Sequence, residues 1–232
     1  MNILLVCTGN TCRSAMAAPL LRQRLEAAGI AGEHDVRSAG VAAQPGQPAT
    51  KGTVVALQAR GLDGEAHQSS LVDDSLIRWA DLILTMGQSH KRAILERHME
   101  ALEKTFTLKE FVDDDPQTVK ILEEMDKLQA EAQTKQALFV TEHADEIERL
   151  QQQYQERGGD PATEKELAAL QQRLEDSVRE ESGRMMELMA QLPDYDIADP
   201  YGGQQHVYEN TAREIEGLLD RLVAKVKELP LS

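Results

Sequence analysis

Residues 2–14 read Asn2-Ile3-Leu4-Leu5-Val6-Cys7-Thr8-Gly9-Asn10-Thr11-Cys12-Arg13-Ser14, and this stretch decides the fold. Residues 2–6 read as a strand, and its short, continuous apolar run Ile3–Val6 is the mark of burial on both faces of a parallel sheet. After the octet Cys7–Ser14 the pattern turns helical, with Met16, Leu20, Leu21 and Leu25 on one face and Gly29 as the stop. A loop between such a strand and such a helix aims backbone N–H groups at one point, and the helix adds the positive end of its dipole. That is an anion site by construction. Gly9 allows close approach of the backbone, and Asn10 is a residue type that tolerates a left-handed turn.

A cysteine at the strand end lies in the same field, which favours its thiolate, so Cys7 is expected to be a nucleophile. Arg13 offers a planar fork to two phosphoryl oxygens. Ser14 can cap the helix or offer a proton to the sulfur. Cys-x5-Arg spacing alone arises by chance, and a cysteine at a strand end is usually a small packed side chain. The full octet between strand and helix carries the reading.

Further along the chain, Val36–Val41 suggests a second strand ending in Ser38-Ala39-Gly40. Residues 50–60 read as a helix closed by Gly61, and 72–79 as another. Asp81–Thr85 reads as a third strand, 89–98 as a helix and Thr105–Leu108 as a fourth strand. Ile215, Leu218, Leu219, Leu222 and Val226 recur at helical spacing in a last helix over 204–228. Alternating strands and helices predict an α/β fold with a four-stranded, mostly parallel sheet flanked by helices.

The formal charge of −15 is unevenly placed: residues 113–196 hold 22 Asp/Glu against 9 Lys/Arg. Leu122, Met125 and Leu128 repeat there at helical spacing, as do Ile147, Leu150 and Tyr154. The pattern breaks at Gly158-Gly159-Asp160-Pro161 and resumes with Leu167, Leu170, Leu174 and Val178. Asp160 is placed to cap the new helix, with Pro161 in its first turn. The segment is expected to be an inserted acidic α-helical arm, a hairpin of two or three helices dividing 1–112 plus 197–232 from 113–196. Its role is either a solvated spacer or an arm for a protein partner or self-association; periodicity does not separate them.

So acidic a chain is not expected to bind nucleic acid or an acidic membrane. Two cysteines five residues apart are no disulfide scaffold. The N-terminal run is too short and lacks the basic start of a signal peptide, and no stretch approaches the ~20 apolar residues of a membrane span. A cytoplasmic location is expected.

The chain resembles the low-molecular-weight protein phosphatases, and among them most the bacterial protein-arginine phosphatases. The carrying stretches are Val6–Ser14, Arg37-Ser38-Ala39-Gly40-Val41, Ala80–Met86, Phe106-Thr107-Leu108-Lys109-Glu110 and Asp199-Pro200-Tyr201-Gly202-Gly203. The resemblance implies a phosphocysteine intermediate on Cys7, phosphoryl binding by Arg13, and Asp199 as general acid and then base, with no metal or other cofactor. It also implies that Thr8, Gly9, Asn10, Thr11, Cys12, Ser14 and Tyr201 meet the substrate, a phosphorylated protein, and that Asn10, Ser14, Ser38 and His67 form the hydrogen-bond network that holds the cradle in shape. Phosphoryl transfer rewards such positioning and charge stabilisation.

Thr11 is the specificity signal. The resemblance implies threonine in arginine-directed relatives and a bulky aliphatic residue in tyrosine-directed ones. Tyrosine specificity is the nearest alternative; a binding module working through the arm is the more distant one. Cys12 is expected to be redox-relevant, protecting Cys7 through a reversible disulfide. Two features depart from the family pattern: Ala15 replaces the usual proline, with Pro19 expected to kink the first helix, and the acidic insertion precedes the Asp199 loop.

Overall fold

The computed structural model describes residues 1–157 and 160–228. They divide into two compact units, Met1–Asp113 with the segment from Asp194 onward, and Asp114–Pro193.

The first unit opens with β1 (Asn2–Cys7) and α1 (Arg13–Ala27), followed by β2 (Asp35–Gly40), α2 (Lys51–Gln58), α3 (Asp74–Trp79), β3 (Leu82–Thr85), α4 (Gln88–Leu95), β4 (Thr105–Thr107) and α5 (Leu108–Val112). The strands form one parallel sheet in the order β2-β1-β3-β4, with Ile3 opposite both Val36 and Leu82. Because β1 is central, its apolar run is buried on both sides. Ile3, Leu5 and Cys7 share a core with Met16, Leu20, Leu21, Ile215 and Leu219. Leu4 and Val6 face the other way, onto Ile77, Ile83 and Ile94. Each such side chain contributes about 1.5–3 kcal/mol by its burial. The chain leaves β1 for β2 on one side and later reaches β3 on the other. The crevice beyond the C-terminal ends of these strands is therefore a topological switch point, where α/β sheets bind ligands.

Helix α1 continues through Pro19. The fifth helix α5, absent from the sequence reading, carries a complete capping box. Thr107 Oγ1 accepts from Glu110 N, and the Glu110 carboxylate accepts from Thr107 N.

The second unit holds α6 (Pro116–Glu142), α7 (Ala144–Arg157), α8 (Pro161–Ser177) and α9 (Arg179–Met189). Among the described residues there are four helices where the periodicity suggests two or three. α7 follows α6 after one residue, His143, and α9 follows α8 after Val178, without glycine or proline to announce the breaks. α6 packs on α9 and α7 on α8. The ion pairs Glu124–Arg184, Lys135–Glu181, Glu146–Arg173 and Arg149–Glu166 step down one leg as they climb the other, so the legs are antiparallel. The expected Asp160 cap is present, its Oδ1 accepting from Ala162 N at 3.0 Å and Thr163 N at 3.1 Å; Gly158 and Gly159 lie outside the described residues. The chain returns to the first unit and closes with α10 (Gln205–Glu228).

The compact units divide slightly inside the 113–196 boundary read from the sequence. Asp113 accepts from Tyr195 Oη at 2.9 Å, which joins the two ends of the segment, and Asp196 Oδ1 accepts from Gln88 N at 2.6 Å, which ties them to α4 of the first unit. Among the described residues, no helix is long and apolar enough to cross a membrane.

Candidate active site

The octet forms the bridge from β1 to α1. Asn10 takes φ 55°, the left-handed conformation anticipated for it. Its side chain is fully buried and wholly engaged: Nδ2 donates to Ser14 Oγ and Ser38 Oγ, both at 2.9 Å, and Oδ1 accepts from Ser70 N at 2.9 Å. His67 Nε2 donates to the Asn10 carbonyl at 2.6 Å. These contacts hold the turn from three separate segments. Gly40, at the end of β2, is required by the same packing, since a Cβ there would stand 2.4 Å from Thr8 O.

The Cys7 sulfur lies 3.0 Å from Ser14 Oγ, and the Asn10 amide donates to it at 3.3 Å. Ser14 therefore serves the sulfur and does not cap the helix. The N-cap position of α1 is Cys12, which makes no side-chain cap, and the first turn holds no acidic residue. Its N–H groups thus keep their anion-binding capacity.

Arg13 reaches across to the segment before α10. Its Nη2 donates to Asp199 Oδ2 at 2.8 Å and its Nη1 to the Ile197 carbonyl at 3.1 Å. Nε is buried with no hydrogen-bond partner among the described residues. Arg13 is nearly buried, whereas Asp199 is half exposed at the mouth, with its Oδ1 accepting from Tyr201 N at 3.2 Å.

A cleft of about 610 Å³ opens over this arrangement. Cys7, Thr8, Gly9, Thr11, Cys12, Arg13, Asp199 and Tyr201, eight of the residues singled out from the sequence, line it. Asn10 and Ser14, expected among the substrate contacts, have fully buried side chains turned to the supporting network alongside Ser38 and His67. Cys12 Sγ is 3.4 Å from Thr50 Oγ1, and both cysteines are free thiols.

Gln44, Gln47 and Lys51 contribute to the opposite wall. Sequence reasoning missed His90, whose Nε2 is 2.9 Å from Thr8 Oγ1. Burial, followed by the nearby Arg13 charge, lowers its pKa to about 4 against the opposing pull of Asp196 and Asp199. A single histidine in a helical pattern gave no signal; only the fold brings residue 90 to residue 8.

A parallel sheet carrying a thiol in an anion cradle at its switch point, with an Arg–Asp pair at the mouth, defines the class of cysteine-based phosphatases. A family model described as "Low molecular weight phosphotyrosine protein phosphatase" matches residues 2–157. A protein-arginine-phosphatase of Geobacillus stearothermophilus is 46% identical over 110 residues, covering 47% of this chain and 70% of that protein. One from Bacillus subtilis is 43% identical over 112 residues, 48% of this chain and 73% of that protein. The solved YwlE arginine phosphatase bearing a phosphorylated active-site serine in place of cysteine is similar at TM-score 0.62 and 27% identity, covering 100% of both chains. The chain belongs to the low molecular weight phosphotyrosine protein phosphatase family.

Proposed function

We propose that this protein hydrolyses phosphoarginine on proteins through a phosphocysteine intermediate. The observation that carries the chemistry is the placement of Cys7 Sγ beside Ser14 Oγ and the Asn10 amide, under a cleft whose mouth holds the Arg13–Asp199 pair. The Cys7 thiolate attacks phosphorus while Asp199 gives its proton to the departing guanidinium nitrogen, and the P–N bond breaks as the S–P bond forms. Water then attacks phosphorus, Asp199 takes its proton, and phosphate leaves the regenerated thiolate. Arg13 and the loop amides hold the phosphoryl oxygens through both displacements.

The leaving group is argued from the cleft lining. A guanidinium brings several N–H donors that need acceptors, whereas an aromatic ring needs apolar walls. Thr11, Gln44, Gln47, Thr50 and Asp199 supply oxygen acceptors, and the relatives named protein-arginine-phosphatase support the same reading. The exposed ring of Tyr201 favours the second reading, a phosphotyrosine phosphatase, for which other relatives are named. Replacing Thr11 with Ile discriminates: the ratio of kcat/KM for phosphoarginine over phosphotyrosine peptides falls at least about tenfold, and an unchanged ratio contradicts the assignment.

Within the same proposal, Cys12 guards Cys7 against deep oxidation, and the acidic 113–196 segment receives basic surfaces of protein substrates. Equal loss on peroxide treatment and equal thiol rescue in Cys12→Ser and wild type would remove the first role. Unchanged activity on protein substrates after deletion of residues 115–193 would remove the second.

A further inference from the structure

His90 takes no part in the reaction described above, yet it lies beside the nucleophile loop, in the first turn of α4, and is 4% exposed. Its Nε2 contacts Thr8 Oγ1 at 2.9 Å, and Thr8 follows the nucleophile directly and lines the cleft. Nδ1 is also buried and has no hydrogen-bond partner among the described residues. Around the ring stand Arg13, Asp196, Asp199 and the Gly87 backbone, the last not in hydrogen-bond geometry with Nδ1, and with the pKa lowered to about 4 the imidazole is neutral at ordinary pH. A neutral imidazole has one proton for two nitrogens.

The surroundings choose between them. A buried N–H without an acceptor is rarer and costlier than a buried lone pair without a donor. The proton therefore belongs on Nε2, which donates to Thr8 Oγ1. Thr8 then does not donate to His90, which leaves its hydroxyl hydrogen for another acceptor, and Thr8 is one of the residues that line the cleft. The opposite tautomer would have Thr8 donate to the ring and present only lone pairs to an incoming anion.

We propose that His90 is a positioning residue that fixes the Thr8 hydroxyl as a hydrogen-bond donor to a phosphoryl oxygen in the cleft. This rests on the phosphatase reading of that cleft. It adds to the loop amides and Arg13 one side-chain donor, aimed from behind by a group that never touches the substrate.

The test uses the full chain with Thr8→Val, His90→Phe, which fills the space without a donor, His90→Gln, which keeps an N–H at similar reach, and the Thr8→Val/His90→Phe double variant. With p-nitrophenyl phosphate, Thr8→Val and His90→Phe each lower kcat about tenfold, as expected for one lost donor to charge. The double variant is no worse than either single one, His90→Gln recovers most of the rate, and melting temperatures identify any variant that is merely misfolded. Nitrogen-15 NMR of histidine-labelled wild type shows the neutral Nε2–H tautomer from pH 5 to 8. A full further loss from His90→Phe in the Thr8→Val background, or an Nδ1–H tautomer, overturns the proposal. If wild type turns over no aryl phosphate, the phosphatase reading itself falls. Inorganic phosphate then decides for His90: about tenfold weaker binding in both single variants supports it, and equal binding overturns it.

Discussion

The two units of this molecule are built on opposite terms. In the first, β1 is covered on both faces and Ile3, Leu4, Leu5 and Val6 have no exposure at all. In the second, each leg buries only a thin seam, with Ile121, Ala132, Leu150, Leu170, Val178 and Leu188 inside and Val119, Leu138, Val140, Met186 and Met189 exposed. Its cross-leg ion pairs are largely solvent-exposed, and such pairs contribute about 0–1 kcal/mol each. The lesson concerns where precision is kept. Asn10 is held by Ser14, Ser38, His67 and Ser70 because sub-ångström placement of amides matters there. The helical legs need only hold their register.

The sharpest contrast comes from chemistry. Replacing Cys7 with Ser lowers turnover of a small aryl phosphate by at least about a thousandfold with little change in melting temperature; residual turnover near wild type would remove the nucleophile. Next in size, Leu150→Ala opens a cavity at a fully buried seam position and costs the second unit about 2–5 kcal/mol. Hydrogen exchange rises within 114–193, while aryl phosphate turnover stays within about twofold of wild type. A matching loss of activity would break the comparison.

The smallest effect belongs to His90. Its pKa in the folded chain is about 4, below the ordinary 6.5, so the unfolded chain binds more protons between these values. The stability it contributes is fully present above 6.5 and is lost as pH falls towards 4. Wild type therefore loses more melting temperature than His90→Gln between pH 7 and 4.5, and parallel curves would contradict the buried neutral ring.

The centre of the sheet is legible in the sequence because β1 and β3 carry continuous apolar runs, and the cradle because residues 7–14 are contiguous. Helix α5 is legible in principle, since Thr107-x-x-Glu110 is a capping box, but the strand-like run Thr105–Leu108 overlaps and masks it. The breaks at His143 and Val178 had no such marker. The partnerships Thr8–His90 and Cys12–Thr50 were hidden for a different reason. Their members lie far apart in the chain, and nothing local to either distinguishes a site residue from an ordinary packed one.

The identity of the leaving group decides the function. The most direct measurement is kcat/KM on phosphoarginine and phosphotyrosine peptides of one sequence, with Cys7→Ser as the blank. A strong preference for phosphoarginine is expected. A preference for phosphotyrosine would leave the Cys7, Arg13 and Asp199 chemistry standing and contradict the substrate.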